Sequence, residues 1–220
     1  MGKFRNMKTY NATDTIKKVS FLLEREARFA FVTYTRSAIF SLTGELTGEK
    51  KPPKNFTRLV ADSLKNQSNE FIKAANRDLV KSNSEKIKEN SEVDISKSYF
   101  YDPGFLEYYI NTNYDVFKTF VSWYLKTTPV VVVSFQSQLN ISKYFSKESV
   151  YINAPYNDFY SKIDEITNEI EKHKDKTNLC VLDCPMLSTA LAQSIWEKGS
   201  MSIFDLGRTL TVAKSTHRSK

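Results

Sequence analysis

Residues 178–207 read NLCVLDCPMLSTALAQSIWEKGSMSIFDLG. Two short β-rich runs, 179–183 and 201–205, are apolar at consecutive positions, the pattern of strands covered on both faces. Between them, 188–198 has the length and composition of a helix, and Gly199 follows where a helix C-terminus favours a residue that tolerates positive φ. A strand, a helix and a second strand in that order form a crossover unit, which makes the two strands parallel neighbours in one sheet.

The same alternation extends outward in both directions. Upstream lie two more β-rich runs at 130–134 and 150–153, and Phe159, Ile163, Ile166 and Ile170 mark one face of a helix before the third run. Residues 114–126 form a helical stretch that buries Val116, Phe117, Phe120, Val121 and Tyr124, and a shorter one lies near 105–110 after the Asp102-Pro103-Gly104 turn. At the other end of the chain, Ile16, Val19, Leu22 and Leu23 recur at helical spacing behind the capping candidates Thr13 and Asp14. Residues 29–34 follow as a central strand, and a short helix from Ser37 stops at Gly44. Phe56, Leu59, Val60 and Leu64 predict another helix, and a further helix is expected from the 65–68 break to about Val80. Residues 82–98 are almost wholly polar and are expected to form a surface excursion. The fold class that results is α/β, a Rossmann-like doubly wound, mostly parallel sheet flanked by helices, built as a single domain over 1–220.

Composition agrees with an ordinary globular chain: 220 residues, 40% hydrophobic, 26% charged. No apolar run approaches the roughly 20 residues of a membrane span, and the first residues carry no apolar signal core, so a cytoplasmic location is the expectation. Cys180 and Cys184 have no second Cys or His pair at zinc spacing, which leaves them as buried reduced thiols, and no metal site is expected. The net charge of +7 is uneven. Residues 50–81 hold eight basic and three acidic side chains, and 208–220 is expected to be a basic C-terminal tail. Lys73, Arg77 and Lys81, spaced by four, would share one face of the helix expected there. That face and the tail make nucleic acid or another anionic partner a possible ligand.

In doubly wound sheets, ligands bind beyond the carboxyl ends of the strands. The loops concerned here are 34–36, 134–136, 153–158, 183–189 and 205–208. The chain has no GxGxxG and no Walker loop, which argues against a dinucleotide or P-loop nucleotide, and no Ser-His-Asp arrangement is indicated.

Three C-terminal segments, YINAPYNDFYSKIDEITNEI, NLCVLDCPMLSTALAQSIWEKG and SIFDLG, resemble the C-terminal half of the bacterial GT-D-type glycosyltransferases. In the N-terminal half, FVTYTRSAIFSL (31–42) is similar to the family's first strand and the turn after it. The resemblance covers about 16–44 and 116–207. It implies transfer of a sugar from a nucleotide-sugar donor to an acceptor that the sequence does not identify, with no other cofactor. The family's Asp-x-Glu pair, which holds the donor's divalent ion, falls on Arg36 and Ala38 here, so the metal motif is replaced. Two readings of this replacement stand side by side. In one, Arg36 takes the metal's place on the diphosphate, with Tyr34 and Ser37 beside it. In the other, the site is catalytically silent, Arg36 is paired with Asp183 or Asp205, and the fold serves as a binding module. The matched positions further implied for substrate and phosphate are Pro185, Ser188, Thr189, Gly207 and Arg208. Asp183 and Asp205 are the candidate catalytic bases, while helix capping is the competing role for Ser188, Thr189 and Asp158.

Overall fold

The computed structural model describes residues 7–25, 27–45, 52–96, 98–155 and 159–216. Its core is a six-stranded sheet. β2 (Ala30–Tyr34), β3 (Phe71–Ala75), β5 (Val131–Ser134), β6 (Val150–Asn153), β7 (Leu179–Asp183) and β8 (Ser202–Asp205) lie in the order β3-β2-β8-β7-β5-β6. Every pairing in it is parallel. Two further strands, β1 (Lys8–Thr9) and β4 (Tyr99–Phe100), pair in parallel, and the chain just after β4 docks on the β3 edge. There Tyr101 N–H donates to Lys73 O at 2.8 Å and Ala75 N–H to Tyr101 O at 3.1 Å.

Helices cover both faces, and the alternation of side chains along each strand shows why the strands are mainly apolar. Val131, Val133, Cys180, Leu182 and Ile203 face one layer, formed by α2 (Arg36–Thr43), α3 (Lys54–Lys65), α4 (Arg77–Ser91), α8 (Ile163–Glu171) and α9 (Ser188–Lys198). Phe31, Val132, Val181 and Phe204 face the other, formed by α1 (Ala12–Glu24), α5 (Phe105–Thr112), α6 (Tyr114–Phe120), α7 (Gln138–Ile141) and α10 (Thr209–Thr216). The second layer has an aromatic centre, in which the Phe31 ring lies 5.6 Å from Phe105 and 5.9 Å from Phe204. Both cysteines are buried free thiols whose pKa burial raises.

Local capping sets several helix boundaries. The Asn11 side chain accepts from Asp14 N–H at 2.9 Å, so α1 begins before the expected caps Thr13 and Asp14. Thr35 caps α2 through Ala38 N–H, and Gly44 ends it at φ +72. Gly199 closes α9 at φ +77, as its position predicts.

Three expectations need correction. The helix expected up to Val80 is instead β3 followed by a break at Asn76 and then α4. Phe71, Ala74 and Ala75 suit either period, and five residues are too few for the pattern to decide; pairing along the whole of β2 does. Lys73 consequently leaves the basic face assigned to it. It is buried in β3 and donates from Nζ to Leu64 O at 2.5 Å, and burial lowers its pKa to about 8. Residues 82–98 are not a surface excursion, because α4 runs through them to Ser91 and buries Asn83, Ser84 and Ile87, with Val93 and Ile95 also in the core. The small polar residues in that stripe disguised its inward face. Similarly, much of the expected basic tail is α10, which buries Leu210 and Ala213, while 217–220 lie outside the described residues. Among the described residues no helix is long and apolar enough to cross a membrane.

Candidate functional site

The order β2-β8-β7 places three strand ends side by side at the centre of the sheet. A cavity of about 430 Å³ opens above them. Thr35, Arg36 and Ser37 border it from the end of β2 and the first turn of α2, Pro185 and Met186 from the turn after β7, and Gly207 and Arg208 from the turn after β8. The docking of Tyr101 on β3 brings in the remaining wall, with Pro103, Gly104 and Glu107 opposite Asn76 and Leu79.

Arg36 is exposed, and its guanidinium carbon lies 5.6 Å from the Phe40 ring centroid, one turn further along α2. Among the described residues no acidic side chain forms a salt bridge with it. Arg208 is held differently. Gly207, at φ +59, makes the sharp turn that turns Arg208 into the cavity, and its N–H donates to Asp205 Oδ1 at 2.9 Å. Arg208 Nη2 stands 3.7 Å from Glu107 Oε2.

The two aspartates have a structural role. Asp205, 1% exposed, accepts from Thr33 N–H at 2.9 Å, from the Thr33 hydroxyl and from Gly207 N–H, which ties the end of β2 to the end of β8. Burial raises its pKa, and these donors act against that rise. Asp183 is buried and accepts from Ser134 Oγ at 2.6 Å and Gln136 Nε2 at 3.0 Å, tying β7 to the turn after β5. Burial pushes its pKa up to about 6, opposed by the Ser134 and Gln136 hydrogen bonds and reinforced by the nearby Asp205 charge. Neither carboxylate borders the cavity, and neither pairs with Arg36.

Three of the candidate phosphate contacts also turn inward. Tyr34, 2% exposed, donates its hydroxyl to Ser63 Oγ at 2.9 Å on α3, and burial raises its pKa. Thr189 Oγ1 donates to Thr33 O at 2.9 Å, a contact between α9 and β2. Ser188 is fully enclosed next to Asp205. Of the residues expected in the site, Arg36, Ser37, Pro185, Gly207 and Arg208 meet at the cavity with their polar groups or backbone available, and Tyr34 also borders it, with its hydroxyl directed to Ser63. Asp158 lies outside the described residues.

Sequence reasoning missed Glu107. It borders the cavity with its side chain 23% exposed, and burial raises its pKa; Arg208 opposes that rise and Asp102 adds to it. The available signal was a single acid inside the apolar and aromatic run FLEYYI, three residues after the Pro103-Gly104 turn. The donor set around the cavity does not fit a divalent cation. Glu107 is its single carboxylate among the described lining residues, and no group of three His, Cys, Asp or Glu with metal-binding geometry occurs among the described residues. Glu45, near the end of α2, is paired with Lys86 instead.

The fold is shared with known structures. The chain superposes on a selenomethionine-substituted structure of domain of unknown function 1792 with a TM-score of 0.75 over 97% of this chain and 83% of that one. A second structure of that domain, described as having a distinct glycosyltransferase fold, superposes at 0.73 with the same coverage. A glycosyltransferase (DUF1792) from Streptococcus sanguinis superposes at 0.74 over 97% of this chain and 85% of its own. Identity is 12% in each case, so the likeness is one of architecture. No protein-family model and no curated protein matches the chain in sequence.

Proposed function

We propose that this chain is a glycosyltransferase that binds a nucleotide-sugar donor in the cavity above β2, β8 and β7, with Arg36 and Arg208 on the diphosphate in place of a divalent ion. The observation that carries the reading is that both guanidiniums border one cavity at the sheet's carboxyl end, with Arg36 free of any acidic partner among the described residues. A silent module would be expected to neutralise Arg36 with a neighbouring acid. Asp183 and Asp205 are both committed elsewhere. The architecture shared with the glycosyltransferase-fold structures supports the same reading.

As the bond from the anomeric carbon to the diphosphate breaks, negative charge grows on the leaving phosphate oxygens. Two guanidiniums held at the site stabilise that charge without reorganisation, and Arg offers bidentate donor pairs to phosphate. Ser37 adds a hydroxyl on the same rim.

Thermal shift with UDP-, GDP-, ADP- and dTDP-linked sugars, each in EDTA and in Mn²⁺, tests this proposal. At least one donor should raise the midpoint in EDTA, since ligand at about 100 Kd adds about 2.7 kcal/mol to the native state. Arg36→Ala should weaken that donor by about tenfold or more, corresponding to the loss of a charge-assisted contact worth about 1.5–3 kcal/mol. No response to any donor would remove the proposal, and a response confined to Mn²⁺ would remove its metal-free part.

A further inference from the structure

Glycosyl transfer to a hydroxyl requires a proton acceptor near the acceptor oxygen. The buried aspartates are poorly placed for this role. Both oxygens of Asp205 accept from Thr33 or Gly207, Asp183 is engaged by Ser134 and Gln136, and neither side chain reaches the cavity wall. His173 follows α8, away from the cavity lining. The position of Glu107 is different. It is the single carboxylate among the described residues around the cavity, projects from the first turn of α5, and shares the wall with Arg208.

We infer that Glu107 is the general base of the transfer reaction, taking the proton of the acceptor hydroxyl. This inference rests on the glycosyl-transfer reading above. As the acceptor oxygen bonds to the anomeric carbon, its proton passes to a Glu107 oxygen. The bond from that carbon to the donor's phosphate oxygen breaks, its electron pair leaves with the nucleoside diphosphate between Arg36 and Arg208, and Glu107 later returns the proton to solvent.

Three features equip the carboxylate for this. Partial burial favours the protonated form, which raises proton affinity and makes the group a stronger base than a solvated glutamate. The charged groups acting on it are Arg208, which favours the ionised form, and Asp102 in the turn before its helix, which opposes ionisation. At 3.7 Å the contact with Arg208 is too long for a tight ion pair, so a carboxylate oxygen stays available to substrate. The same Arg208 contact links departure of the diphosphate to the residue that removes the proton.

The test measures nucleoside diphosphate release from UDP-glucose, UDP-N-acetylglucosamine and GDP-mannose with water as acceptor, together with UDP and GDP binding by calorimetry. In Glu107→Gln, release should fall by about 100-fold or more, in the range of general-base effects, while UDP or GDP affinity stays within about threefold. The acidic limb of the wild-type pH profile should disappear with it. In Glu107→Ala, added formate should restore part of the release, as an external base occupying the vacated space. Release by Glu107→Gln within about threefold of wild type would overturn the inference. So would a parallel loss of release and nucleotide binding without formate rescue, which would make Glu107 a positioning residue for Arg208. A wild-type protein that neither binds nor turns over any of these nucleotides would instead refute the glycosyl-transfer reading itself, and this role with it.

Discussion

Asp205→Ala is expected to destabilise the protein by about 4 kcal/mol, through three buried donors left without an acceptor at about 1–3 kcal/mol each, partly offset by relaxation. The Thr33 N–H, the Thr33 hydroxyl and the Gly207 N–H all converge on this one carboxylate. Because they come from β2 and from the turn after β8, the loss would loosen the strand ends that carry Arg36 and Arg208. In a chain of this size that corresponds to a fall in Tm of about 8–16 °C. Asp205→Asn keeps one acceptor oxygen and should cost roughly half as much. Urea midpoints for the two variants, with the slope of the transition monitored, decide the matter. A midpoint for Asp205→Ala within the ±0.5 kcal/mol typical of surface substitutions would show that the carboxylate does not hold the two strands.

The second large effect concerns pH. The pKa of Asp183 in the folded protein is about 6, above the ordinary 3.8 of an unfolded aspartate. A group shifted in this direction binds its proton more tightly when folded. Its contribution to stability is therefore complete below about pH 4, declines as pH rises, and is lost above about pH 6. The difference between the two pKa values corresponds to roughly 3 kcal/mol. The shift for buried Asp205 has the same direction. Asp183→Asn removes this titration but still offers an oxygen to Ser134 Oγ and Gln136 Nε2. Relative to that variant, the wild-type protein should lose stability between pH 4 and pH 7, the gap opening around pH 5–6. Equal pH dependence in the two proteins by urea unfolding would mean that Asp183 ionises as freely as in water.

These two aspartates also show how far a local reading reaches. Residues 201–205 were read as a strand with a loop at 205–208 beyond its end, and Gly207 at φ +59 makes the turn there. The side chain of Asp205, read as a candidate catalytic base, secures the backbone of β2. Local sequence does not say to which side of a strand end a polar side chain points, because the partner donors lie about 170 residues away in the chain. The side-chain partners of Tyr34 and Thr189 are hidden from local sequence for the same reason, being supplied by α3 and by the meeting of α9 with β2. Glu107 was missed in the opposite sense. Its helix is ordinary in sequence and becomes part of the site only because Tyr101 joins β3 and sets the start of α5 across the strand ends.

The amino-acid sequence by itself determined the parallel α/β architecture and the five strands of the sheet other than β3, and it nominated five strand-end loops, three of which border the cavity. Strands buried on both faces read as near-continuous apolar runs, and crossover helices carry their own period, so both are written into neighbouring residues. Tertiary structure alone decided that residues 71–75 pair as a strand, that Asp183 and Asp205 hold the sheet together, and that Arg36, Arg208 and Glu107 share one cavity. Each of those outcomes depends on the desolvation and hydrogen-bond partners that distant segments bring when they pack, which no short stretch of chain contains.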